Sequence, residues 1–253
     1  MMNYLQSLTG MTLFLTIMTV GALVSTLIPV LIRWRFELNP SGDVAKGVFE
    51  SYRLVVSITL VLFAFSIVRL QGDHRNAEDL VSKEASLIQK LESQLNLYGG
   101  PNADESRADL NAYTSSIVND EWHMMAKGSH SVQTSNYLTD LTQGISLLIP
   151  KNPVEQMTRV EIGSTLNQLI DVRQARLVVA TTRLPSYLWQ ALILSLMVLT
   201  ILGWFQSPLP YLVGYVLGVN VAFAALLTLI IQAGALFDGE SLITPELISN
   251  TLR

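Results

Sequence analysis

The sequence predicts an all-α, polytopic membrane protein with four transmembrane helices and a central water-exposed helical domain between the second and third spans. Three observations predict it. No Asp, Glu, Lys or Arg occurs in residues 1–32 or 184–237, and a charge at the bilayer centre costs ~3 kcal/mol on insertion scales. Nearly all the charge lies between those runs: residues 70–185 hold 10 of the 16 Lys and Arg and 14 of the 20 Asp and Glu. That middle stretch has no alternating run rich in Val, Ile or Thr, so no sheet is expected. The composition agrees, with half the residues hydrophobic and 14% charged, which suits a chain with several spans.

The first span is residues 11–32, long enough for the ~20 residues a crossing needs. It ends at Arg33-Trp34-Arg35, residue types suited to the interface. No Lys or Arg precedes Arg33, as the positive start of a signal peptide requires, so the run is expected to be a retained span. Asn39-Pro40-Ser41-Gly42 supplies a turn. The second span is short. Only residues 54–68 lie between Arg53 and Arg69; at ~1.5 Å per residue they cover ~22 Å of a ~30 Å hydrocarbon core. Either both arginines snorkel to the headgroups, or protein shields this helix and one face meets water.

Four helices follow, over roughly 76–98, 103–127, 132–148 and 153–182. Gly99-Gly100-Pro101, Gly128 and Pro150 stop the first three, and Pro153 opens the fourth. The third span is 187–205 and the fourth 211–237, joined by Ser207-Pro208-Leu209-Pro210. The expected division is a first hairpin at 1–72, a cytoplasmic helical domain at 73–185, a second hairpin at 186–237 and a tail at 238–253. An even number of spans places both termini on the domain's side. Arg69, Arg75, Lys83, Lys90, Arg173, Arg176 and Arg183 flank the spans on that side, against Arg33, Arg35, Lys46 and Arg53 in the first loop. The positive-inside bias puts the domain in the cytoplasm.

Several function classes are excluded. A net charge of −4 without a basic stripe argues against nucleic acid. The chain has no Cys, so disulfides and thiolate sites are out. His74, His123 and His130 form no metal-binding spacing. No phosphate loop, nucleophile elbow or framed carboxylate dyad occurs. Neither an enzyme, a cofactor nor a metal is expected.

Three patterns carry candidate roles. Ile58, Leu62, Phe65 and Arg69 form a stripe at helical spacing; they are the candidate pore-lining residues, an apolar constriction with a cationic mouth. Read plainly, the stripe faces lipid or a partner helix and Arg69 snorkels. Glu84 sits in the apolar row Leu80–Leu87–Leu91, and Arg173 in the row Ile162–Leu166–Leu169–Leu177. A charge on a core row needs a partner, so Glu84–Arg173 is the expected internal ion pair, with Arg176 as the alternative donor. Gly214, Gly218 and Ala222 make a small-residue row for close helix packing, within the subunit or between subunits. Asn220, one turn away, is expected to bond a neighbouring helix.

The chain resembles the bacterial bestrophin-like membrane proteins. The resemblance is carried by HRNAEDLVSKEASL (74–87), VNDEWHMMAKG (118–128), DVRQARLVVATTRLPSYLW (171–189) and FDGESLITPELI (237–248). The chain departs at Leu236, where the family has proline, and at Gly234, where an acid often stands. The resemblance implies a homo-oligomer in the bacterial inner membrane, pentameric by analogy with bestrophins, around an axial pathway for small ions lined by the second span. Two readings result: an ion channel, or a membrane-anchored scaffolding or interaction protein whose helical domain docks a partner. They differ in whether the second span faces a shared axis.

Overall fold

A computed structural model describes residues 42–182, 184–205, 210–233, 243, 245–249 and 251, with 12, 14–21, 23 and 35 in the N-terminal part. Every regular element among them is helical. The expected first span is described at 12, 14–21 and 23, all helical. Arg33, Trp34, Arg183, the turn at 207–209 and the Phe-x-Gly-Glu at 237–240 lie outside the described residues or side chains.

The first long helix, α1, runs Gly42–Tyr98. The sequence reading separates a span at 54–68 from a helix at 76–98; the structure joins them. Gly72 is the lone Gly or Pro between them, and an interior Gly costs only ~1 kcal/mol against Ala. Gly99 and Gly100 then take φ of 69° and 89°, a left-handed conformation that favours Gly. Pro101 opens α2, Pro101–Ser116. A π turn at Ile117–Glu121 leads into α3, Trp122–Ala126. Gly128, with φ 72°, ends that run.

The remaining elements carry their own caps. In α4, Val132–Ser146, the Ser131 hydroxyl accepts from the Thr134 N–H. In α5, Pro153–Thr181, the Asn152 side chain accepts from the Glu155 N–H, and Glu155 reaches back to accept from the Lys151 N–H, a reciprocal arrangement close to a capping box. The apolar helices α6, Ser186–Trp204, and α7, Pro210–Ala233, follow, with a short α8 at Glu246–Ser249. Among the described residues, two helical stretches, Gly42–Tyr98 and Pro153–Gly203, are long and apolar enough to cross a membrane, and Leu217–Ile231 is a shorter apolar helix.

The chain forms two compact units. One is Met1–Gly72 with Arg183–Ala235; the other is Asp73–Thr182 with Leu236–Arg253. The core of the first contains Tyr52, Phe63, Leu70, Leu192, Leu199, Phe223 and Ile230. Tyr52 meets Tyr215 edge-on at 5.8 Å and Phe63 stacks on Phe223 at 5.5 Å. The order is the same along both helices, so α1 and α7 run parallel. Buried hydroxyls of Thr59, Ser66 and Thr228 donate to carbonyls four residues back on their own helices, which satisfies them without a partner helix.

The core of the second unit draws on α1, α2, α4 and α5, through Leu91, Leu95, Leu110, Leu141, Ile162 and Leu169. Where α2 meets α4, Gly144 permits close approach: a Cβ there would lie 2.8 Å from Ser106 Oγ. Within the stretch expected as a tail, described residues reach this core. Ile243 and Ile248 are buried in it, and burying such a side chain contributes ~1.5–3 kcal/mol.

Candidate functional site

Four charged side chains meet inside the second unit. α1 brings Glu84, the π turn brings Glu121, and α5 brings Arg173 and Arg176 one turn apart. Glu84, Glu121 and Arg176 are 0% exposed and Arg173 is 6% exposed. The Arg176 guanidinium donates from Nε and Nη2 to the two oxygens of Glu84, the latter bond being 3.1 Å. Its Nη1 donates to the Met125 sulfur, and its Cζ lies 5.8 Å from the Trp122 ring centre. Tyr113 donates its hydroxyl to Glu84 Oε1 at 2.9 Å. Arg173 donates to Glu121 Oε2 from Nε at 3.2 Å and Nη2 at 3.1 Å, and to Ser135 Oγ at 3.0 Å. A 3.8 Å approach of Arg176 Nη2 to Glu121 Oε1 joins the two pairs.

The formal charges cancel, so no buried charge is left uncompensated. Burial alone lowers the proton affinity of Arg176, but the Glu84 carboxylate and then Glu121 hold its pKa above the usual arginine value. Burial, and then Glu84, push the Tyr113 hydroxyl well above its usual range. Both side chains therefore stay proton donors at any working pH. Chemically the cluster is a fixed clamp tying α1, α5 and the π turn together.

The clamp corrects the expected pairing. Glu84 pairs with Arg176, the alternative donor, and Arg173 pairs with Glu121, which the sequence reading did not single out. Glu121 lies on a π turn. The turn inserts one residue into the helical register, as single π turns do, and keeps Ile117, Glu121 and Met125 on one buried face. The available signal was a carboxylate spaced four residues from two apolar neighbours.

The second feature is a face of α1. Leu54, Ile58, Val61, Phe65 and Val68 are each at least half exposed. They alternate four and three residues apart, a 3.5-residue repeat. Tyr52, Thr59, Phe63, Ser66 and Leu70 lie buried on the other face. Of the expected pore-lining stripe, Ile58, Phe65 and Arg69 are exposed, whereas Leu62 packs half-buried against the unit's own core. From Ile58 the expected stripe steps by four, three and four, whereas the exposed row steps by three, four and three; the two share Ile58 and Phe65, and Leu62 falls beside the row.

The small-residue row lies on the surface of this chain. Gly214, Gly218 and Ala222 are exposed, and a Cβ on either glycine would meet nothing within 4 Å. The row therefore mediates no packing among the described residues of this chain. Asn220 is half-buried and makes no side-chain hydrogen bond among them. No group of three or more potential metal ligands occurs among the described residues.

A family model described as the bestrophin-like domain matches residues 20–248. No curated protein matches the sequence. A solved crystal structure described as that of a membrane protein is similar in fold, with a TM-score of 0.69 at 14% identity, covering 94% of this chain and 95% of that one. At that identity the likeness speaks for fold alone. The family match spans both long apolar helices, the clamp and the exposed face of α1, and on that match the chain belongs to the bestrophin-like family.

Proposed function

We propose that the protein is a homo-oligomeric ion channel whose axial pore is lined by α1. One observation carries this reading: an exposed apolar row with a 3.5-residue repeat, on a stretch of ~22 Å between Arg53 and Arg69. Lipid alone solvates both arginines of so short a stretch poorly. A ring of copies turns the row toward a shared axis, where Leu54, Ile58, Val61, Phe65 and Val68 form a narrow dry constriction that gates by dewetting. Arg69 then stands at its mouth. Subunit number is pentameric by analogy with bestrophins, and the permeant species are small ions.

In this reading the chain crosses the bacterial inner membrane four times, with the second unit and both termini in the cytoplasm. Ile243 and Ile248, which follow α7, pack in the same core as the helices that precede α6. That supports a departure along α6 and a return along α7. The second reading is a membrane-anchored interaction protein. The exposed Leu147, Ile149, Val154, Met157 and Val160 on the second unit favour it.

Ion flux through reconstituted protein separates the two. Phe65→Ala widens and wets the constriction, so it should raise flux above wild type. Proteoliposomes impermeable with both wild type and Phe65→Ala, across several salts, would leave the interaction protein as the better reading.

A further inference from the structure

The exposed face of α1 does not stop at Val68. Continuing the same alternation of four and three residues reaches Gly72, Arg75, Asp79, Ser82, Ser86, Gln89 and Ser93, and each is exposed. The buried face over the same stretch is Ala77, Val81, Glu84, Ile88, Leu91 and Leu95. Past Val68 the exposed row holds no large apolar side chain. From Ser82 onward it is neutral and hydrogen-bonding, which suits water rather than lipid or a packed seam. Its charges are two, Arg75 and Asp79, one turn apart. Neither makes an ion pair or side-chain hydrogen bond among the described residues. The neighbouring Glu78 faces His74 at 3.4 Å instead.

We propose that Arg75 and Asp79 set the charge selectivity of the pathway. This rests on the channel reading and assigns the determinant to a place outside the apolar constriction. In a cyclic assembly each position becomes a ring of identical charges. The Arg75 ring draws small anions to the axis and the Asp79 ring draws small cations, ~6 Å further along the helix. An elementary charge ~5 Å from a hydrated ion changes its local concentration roughly twofold to fourfold at physiological salt. The two rings oppose each other, so removing one unmasks the other, while the Arg69 ring at the mouth is the same in every variant.

The test is the reversal potential of the full-length protein in planar bilayers under a potassium chloride gradient. Asp79→Asn shifts the anion-to-cation permeability ratio roughly twofold to fourfold toward anions, and Arg75→Gln shifts it as far toward cations. The double variant returns close to wild type, and Glu105→Gln, an exposed charge on α2 off this row, leaves the ratio unchanged. Currents that respond to Phe65→Ala while both single variants match Glu105→Gln, or shift in the same direction, overturn this inference and leave the channel reading standing. Absence of any current from every variant overturns both.

Discussion

Replacing Glu84 by Gln keeps the shape of the side chain and removes its charge. The carboxylate is fully buried and accepts three hydrogen bonds, two from Arg176 and one from Tyr113. A Gln keeps one accepting oxygen and turns an N–H₂ toward a guanidinium that has only donors. Stranding one member of a buried pair costs ~3–5 kcal/mol. Arg176 retains Glu121 at 3.8 Å, the Met125 sulfur and the Trp122 ring, which places the cost near ~3 kcal/mol, the lower end of that range. For a chain of this size the melting temperature falls by ~6–12 °C. Arg176→Met strands Glu84 and should cost a similar amount. The double variant leaves neither charge stranded by the other, so its cost should fall more than ~1 kcal/mol short of the sum. Thermal unfolding in mild detergent, followed by tryptophan fluorescence, measures all three, with Trp122 close to the change. Additivity within ~0.5 kcal/mol would refute the pairing. Glu84→Gln combined with Arg173→Met should lie closer to additive, because Arg173 rests on Glu121.

Two further outcomes are expected in the same unit. Gly144→Ala drives a methyl to 2.8 Å from Ser106 Oγ, which is held by donation to the Asn102 carbonyl; overpacking of this kind costs ~1–3 kcal/mol, and the loss should vanish in a Ser106→Ala background, as melting temperatures will report. Burial, then Asp140 and Glu105, raise the Asp109 pKa above its usual 3.8. A folded-state pKa above the unfolded value contributes stability at low pH that is lost as pH rises through the folded value. Asp109→Asn should therefore raise the melting temperature at neutral pH, with the gain shrinking as pH falls toward 3.8.

The helical class and the core rows were legible because they rest on charge distribution and periodicity, which act over many residues. Glu84 and Arg176 could be singled out as core charges because each interrupts or adjoins an apolar row. The pairing was not legible, because Glu121 lies on the π turn at Ile117–Glu121 and no composition rule marks that turn. The union of the second span with the following helix turned on Gly72, whose ~1 kcal/mol penalty is too small to decide a boundary by itself. Leu62 and Val61 both lie one helical turn from Ile58, at steps of four and three, and spacing alone does not decide which of the two is exposed. The burial of Ile243 and Ile248 was not legible, because their contacts lie far away in sequence, which local patterns do not record.

The central claim is that α1 copies face one another across an axis. A density map of the detergent-solubilised protein, viewed down any symmetry axis, tests it directly. The account predicts a closed ring of identical chains with Leu54, Ile58, Val61, Phe65 and Val68 of every copy pointing at the axis. A monomer, or a ring in which that row points outward into the detergent belt, would contradict it.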